Sequence, residues 1–181
     1  MTLAVLCALA TLGVGCIFDP PKKTIIIPPK LIVYPPRNTP KNAVLYLKAA
    51  WENRDSTRAD TVYAVNYTGT SSVEGVSDLT FGRLEEIRAL GGVQIAQSVT
   101  RVTFDFHDPS TWIRQEYATD SSTWVAYSIP APRIEVDQLS GSLVADQSTF
   151  FEFTMRPYVV APGDTLWQIV RWVERNPAPP S

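Results

Sequence analysis

Thr100-Arg101-Val102-Thr103-Phe104-Asp105-Phe106 is the stretch on which the fold turns. Val102, Phe104 and Phe106 alternate with Arg101, Thr103 and Asp105, the period of two expected of a half-buried strand, because successive side chains point to opposite faces. Upstream the period is that of a helix. Val44, Leu47, Ala50 and Trp51 recur at three- and four-residue spacing and leave Lys41, Lys48 and Glu52 on the other side. Thr39-Pro40 opens this helix with a capping hydroxyl and a proline at the first position, where the missing N–H costs nothing, and the helix is expected to run to about Arg54. A second, short helix is expected after Asp55-Ser56-Thr57, carrying Ala59, Val62 and Tyr63; Tyr67 to Val73 reads as a short hairpin or turn. Asp78-Leu79-Thr80 is expected to cap a third helix lined by Phe81, Leu84, Ile87 and Leu90 and ended by Gly91-Gly92.

Downstream, strands are expected at Thr123–Ile129, Arg133–Leu139, Thr149–Tyr158 and Thr165–Glu174. Pro130-Ala131-Pro132 must bend the chain or lie at a sheet edge, while Asp108-Pro109 and Ala161-Pro162-Gly163-Asp164 are turns. Trp167, Ile169, Arg171 and Trp172 put apolar groups on both faces of the last strand, which is therefore expected to be central. Helices first and strands afterwards describe one α+β domain over 38–175, with three N-terminal helices packed on a curved antiparallel sheet.

The formal charge of -2, from 16 basic and 18 acidic residues, creates no long-range field for nucleic acid, and the basic residues are scattered. Cys7 and Cys16 both lie in the apolar N-terminal stretch, so no disulfide framework is available to the domain. One histidine and no pair of cysteines beyond that stretch give no expectation of a metal site, and no motif for a cofactor or a phosphate occurs.

From Leu3 to Phe18 the chain is uncharged, until Asp19-Pro20-Pro21-Lys22-Lys23 stops the run. This is short of the ~20 residues of a membrane-spanning helix and of the size of a signal-peptide core. An uncleaved anchor and a buried helix are the other readings. Pro20-Pro21, Pro28-Pro29 and Pro35-Pro36 exclude helix from 16–37 and make that stretch an extended tether, on which Ile25-Ile26-Ile27 and Leu31-Ile32-Val33-Tyr34 are apolar enough to seek a surface. Residues 176–181 read as a disordered tail.

Two resemblances add to this reading. Leu12-Gly13-Val14-Gly15-Cys16 resembles the bacterial lipobox, which implies removal of 1–15, lipidation of Cys16 with fatty acyl chains such as palmitate, and a membrane anchor in the cell envelope. With Ile17 rather than aspartate after the cysteine, it implies the outer membrane, facing the periplasm. Ala43-Val44-Leu45-Tyr46-Leu47-Lys48-Ala49-Ala50-Trp51-Glu52-Asn53-Arg54-Asp55 and Asp164-Thr165-Leu166-Trp167-Gln168-Ile169-Val170-Arg171-Trp172-Val173-Glu174 resemble the opening helix and last strand of the nuclear transport factor 2-like superfamily. That resemblance implies a cone-like α+β fold shared with ketosteroid isomerase-like and polyketide cyclase-like proteins, whose mouth serves as a pocket for catalysis, binding or pairing.

No catalytic set stands out. The pocket candidates by chemistry are Asp105, His107, Tyr127 and Asp137, with Asp108 and Tyr117 beside them; Asp105 and His107 alternate with Phe104 and Phe106, so both are expected to face solvent. The leading expectation is a lipid-anchored periplasmic domain that binds a small apolar ligand or a protein partner without catalysis. The alternatives are an isomerase or dehydratase using a pocket carboxylate and a tyrosine, and a structural envelope protein that forms a homodimer through its sheet.

Overall fold

In the computed structural model, which describes residues 31–72, 78–116, 122–145 and 150–175, the Thr39 hydroxyl accepts the Asn42 N–H at 3.2 Å and starts α1 (Pro40–Glu52). The capping satisfies one of the free N–H groups that every helix start leaves. Ala43, Val44, Tyr46, Leu47 and Ala50 form its buried side. Arg54 takes a left-handed φ of 55° and reverses the chain, and the Asp55 carboxylate accepts the Arg58 N–H at 2.9 Å to cap α2 (Ser56–Val62).

Here the structure departs from the sequence reading. Tyr63 does not end a helix; it opens β1 (Tyr63–Ser71), which takes in the residues expected as a turn. β2 (Leu79–Gly82) pairs antiparallel with β1, so α3 (Arg83–Ile95) starts at Gly82, where the Glu85 carboxylate accepts the Gly82 N–H at 3.0 Å. The side of α3 that packs on the body carries Glu86, Ile87, Leu90 and Val93, and Leu84 is left 63% exposed. Nor do Gly91 and Gly92 end α3: each costs about 1 kcal/mol relative to alanine, and the packing of Leu90 and Val93 on the core carries the helix through them.

β3 (Val99–Asp105), β5 (Val125–Pro130), β6 (Arg133–Gln138), β8 (Phe150–Ala161) and β9 (Asp164–Arg175) fall close to their expected positions. β4 (Ile113–Gln115) and β7 (Gly141–Ala145) are additional. The strands form a six-stranded sheet in the order β2-β1-β9-β8-β5-β4 and a three-stranded sheet in the order β3-β6-β7. Pro130-Ala131-Pro132, with Ala131 at φ 44°, carries the chain from one sheet to the other. The expectation of an antiparallel sheet is corrected at one ladder: β1 runs parallel to β9, so the sheet is mixed and mostly antiparallel. β9 is central, as its two apolar faces require, with Ile169, Val170 and Trp172 all buried.

Residues from Ile32 on form one compact unit. The end of the stretch expected as tether lies on this body: the Tyr34 ring is 5.1 Å from the Tyr46 ring, its hydroxyl donates to Asp55 at 2.9 Å, and the Arg37 carbonyl accepts the Trp167 N–H at 2.8 Å. Burial and the neighbouring Asp55 push the Tyr34 hydroxyl up to about 12. The leader, Cys16, the rest of the proline-rich stretch and the tail lie outside the described residues.

Candidate functional site

The four expected pocket residues do not converge. Asp105 ends β3, where its carboxylate accepts the His107 N–H at 2.9 Å. His107 sits at a left-handed φ of 54° with Nε2 2.9 Å from the Ala131 carbonyl and Nδ1 3.5 Å from Asp105, and both side chains are exposed. This is turn chemistry: a carboxylate holding the N–H two residues on. Asp108 does the same for the Ser110 N–H at 2.7 Å, and Ser110 holds its carboxyl below the usual range. Asp137 lies at the other end of the β3–β6 ladder, accepting from Ser142 at 2.6 Å and from Arg101 at 2.7 Å, contacts that keep it ionised to lower pH than usual. Tyr127 is in the other sheet, half-buried, with the Lys41 ammonium 5.0 Å from its ring centre. Tyr117 lies outside the described residues.

Between helices and sheet the space is occupied by aromatic rings. Phe106 packs edge-on to Phe151 at 6.0 Å, Phe151 lies 5.4 Å from Trp172, and Phe153 lies 5.1 Å from Trp172; all four are buried, with Phe104 5.3 Å from Phe106. Rings in such edge and tilted contacts each bury a large apolar area and leave little room for a ligand among them.

Polar chemistry is buried elsewhere, between α3, β1 and α1. Glu86 of α3 is only 7% exposed, and its Oε1 accepts the Tyr67 hydroxyl at 2.9 Å. Tyr67 packs on Tyr63 at 4.4 Å between ring centres, and the Tyr63 hydroxyl accepts the Trp51 indole N–H at 3.3 Å. Burial pushes the Glu86 carboxyl up to about 7; the Tyr67 hydrogen bond opposes this, and the charge of Glu174 adds to it. Glu174, held by the Ser71 hydroxyl at 2.7 Å, is itself raised by burial, and the phenols of Tyr63 and Tyr67 are held well above the ordinary range. A carboxyl that gains or loses its proton near neutrality is thus set beside a fixed donor.

Glu86 also lines a cleft of about 270 Å3, formed with Phe81, Glu85 and Ala89, whose surface is almost wholly apolar. Its aromatic wall depends on one glycine. Gly69 faces Phe81 across the β1–β2 ladder, and a Cβ there would stand 2.0 Å from the Phe81 ring, so only glycine lets the ring fold across the strand. A second cleft, of about 320 Å3, runs from Asp60 and Arg83 to Arg156 and Gln168, and its guanidinium groups already have partners: Arg83 on Asp60 at 2.8 Å, Arg156 on Gln168 at 3.3 Å. Glu86 is missed when the inward face of α3 is given to Phe81, Leu84, Ile87 and Leu90. The available signal was that Glu86 stands four residues before Leu90, on the same helical stripe.

On the face of β8 opposite Phe151 and Phe153, Glu152 is 7% exposed and makes no hydrogen bond or ion pair among the described residues. Thr154 Oγ1 beside it is buried without a partner. Ser128 and Arg171 stand across the neighbouring ladders from these two residues.

No protein family matches the sequence, and no curated protein does. Solved structures match the fold. A candidate aromatic ring hydroxylase from Novosphingobium aromaticivorans is 10% identical over 77% of this chain and 87% of its own, with a TM-score of 0.51. The chain shares the α+β fold of that protein, three helices packed on a mixed, mostly antiparallel sheet. A ketosteroid isomerase-like protein from Erwinia carotovora atroseptica (14% identical, 77% of this chain and 94% of its own, TM-score 0.44) and an NTF-2 like protein of unknown function from Silicibacter pomeroyi (14%, 76% and 92%, TM-score 0.42) are also similar. At these identities the likeness is one of fold.

Proposed function

We propose that the chain is a lipid-anchored domain of a bacterial envelope, held at the membrane through Cys16, which binds a small, largely apolar ligand in the cleft between α3 and β2 and does not transform it. One observation carries the binding part: Glu86, a buried carboxyl with a tyrosine donor, set in the wall of a cleft whose other side is the Phe81 ring. Apolar clefts with a few fixed polar groups are the usual form of small-molecule sites. The non-catalytic part is supported by the scatter of Asp105, His107, Tyr127 and Asp137, and by the rings that occupy the space between helices and sheet. Acid–base chemistry at Asp105 or Asp137 lacks that support, since both carboxylates are spent on surface contacts.

Two measurements test the reading. Intact mass of the chain from its native host is expected to show a start at Cys16 carrying acyl groups; an unprocessed Met1 without them overturns the anchoring. Titration of the isotope-labelled full chain with small aromatic probes is expected to shift the amide signals of Phe81, Glu86 and Ala89 first. Shifts confined to other regions overturn the cleft as the site.

Thr154, with Glu152 beside it on the same face, favours a second reading, a homodimer formed through the outer face of the sheet, because a buried hydroxyl without a partner costs about 1–3 kcal/mol and a facing subunit can supply one. Sedimentation at high concentration decides it: a dimer that Glu152→Ala weakens supports pairing, and a strict monomer counts against it.

A further inference from the structure

We propose that the ligand of the α3–β2 cleft is an organic cation: an ammonium group on a small apolar or aromatic body. The inference rests on the cleft being the ligand site and names the class of ligand it takes.

The lining residues are Phe81, Glu85, Glu86 and Ala89, two carboxyls with an aromatic ring and a methyl group, and no basic side chain among them. Of the two arginines that flank these residues in α3, Arg88 is exposed and outside the lining, and Arg83 is engaged elsewhere: its Nε donates to the Asp60 carboxylate at 2.8 Å and its Nη2 to the Asp60 carbonyl at 3.2 Å. Glu85 is partly used, accepting the Gly82 N–H at 3.0 Å. Glu86 is used on one side only. Its Oε1 accepts from Tyr67, while Oε2 has no hydrogen-bond partner among the described residues, although the side chain is 7% exposed.

Three ligand classes can be weighed against that arrangement. An anion meets two carboxyls lining the cleft and a third, Glu174, close enough to act on Glu86, with no counter-charge in the lining. A neutral apolar molecule covers Glu86 further and leaves Oε2 without a donor. An ammonium group supplies the donor and the charge together, and its body lies against the Phe81 ring, which attracts cations to its face.

Protonation tunes this preference. The groups that face Glu86 are Tyr63 and Tyr67 from β1, Glu174 from β9 and, on its own helix, Glu85; none of them carries a positive charge. Only the ionised Glu86 pairs with a cation, and burial places the loss of its proton near pH 7. Cation affinity therefore falls as the pH drops through neutrality.

The experiment uses the full chain and three probes of one shape: benzylamine, benzyl alcohol and benzoate, each titrated by NMR at about pH 8 and about pH 5.5, where benzylamine stays charged. At the higher pH benzylamine is expected to bind about ten-fold more tightly than benzyl alcohol, a difference of about 1.4 kcal/mol, with benzoate weakest. At the lower pH that advantage is expected to shrink to less than about three-fold. Glu86→Gln is expected to bring benzylamine and benzyl alcohol to within about three-fold of each other at both pH values; should that variant fail to fold, the wild-type pH series decides. Equal binding of amine and alcohol at the higher pH, or tighter binding of benzoate, overturns the cation inference and leaves the cleft standing as a ligand site. No binding of any probe overturns both.

Discussion

Helices α1 and α3 are each 13 residues long and lie in the same compact unit, yet they bury different chemistry. α1 turns Ala43, Val44, Tyr46, Leu47 and Ala50 inward, a stripe at helical spacing with a hydroxyl cap and a proline at its start. α3 turns inward Glu86 and Leu90, shows Leu84 to solvent and carries two glycines in its interior. The first helix is built to hold the fold. The second gives up packing and propensity to hold a carboxyl against Tyr67 and a cleft, as expected where a local rule of stability yields to a site.

That contrast can be broken by substitution. Leu47, 1% exposed in α1, is expected to cost roughly 3–4 kcal/mol when cut to alanine, from lost burial and the cavity left behind; chemical denaturation reads the loss, and a cost under about 1 kcal/mol would deny α1 its role.

The Glu86 effect is expected to be nearly as large and to depend on pH. Its carboxyl binds a proton more tightly in the folded state, near 7 against 4.5 for the free side chain, so the associated stability is fully present below about pH 4.5 and is lost as the pH rises through about 7. That difference corresponds to about 3 kcal/mol between acid and alkaline plateaus. Glu86→Gln is expected to flatten that part of the stability profile; an unchanged profile would place its cause elsewhere.

Smaller effects sharpen the comparison at the helix ends and surfaces. Thr39→Ala removes the α1 cap and is expected to cost about 1 kcal/mol in thermal or chemical unfolding. Gly92→Ala adds a methyl group where nothing lies within 4 Å, inside a helix, and is expected to stabilise by about 0.5–1 kcal/mol. Leu84→Ala, at an exposed position, is expected to change stability by less than about 0.5 kcal/mol despite its place in the apolar pattern.

The same contrast shows how much was legible. α1, β3, β8 and β9 follow from local periodicity because their buried faces are apolar and uninterrupted. β1 does not: Val65 and Asn66 are exposed, Gly69 lies across from Phe81, and the strand's main partner is β9, a hundred residues further on, so what makes it a strand is absent from its own neighbourhood. Once β1 is missed, Leu79–Gly82 has no strand to pair with and reads as a helix start, and the turn of α3 comes out wrong by enough to put Leu84 inside and leave Glu86 unassigned. The pocket candidates fared accordingly. Asp105 and His107 face solvent, as their alternation with Phe104 and Phe106 requires, whereas Tyr67 and Glu86, 19 positions apart, meet only through the fold.

On the reading proposed above, Glu86 is a buried carboxyl set near neutrality beside a cleft that takes a ligand. Its side-chain carboxyl carbon, followed by NMR across the acid and neutral range with Glu86→Gln fixing the assignment, is expected to show a midpoint near pH 7 that added benzylamine moves downward. A midpoint near 4.5, the value of a solvated glutamate, that the amine leaves in place would contradict it.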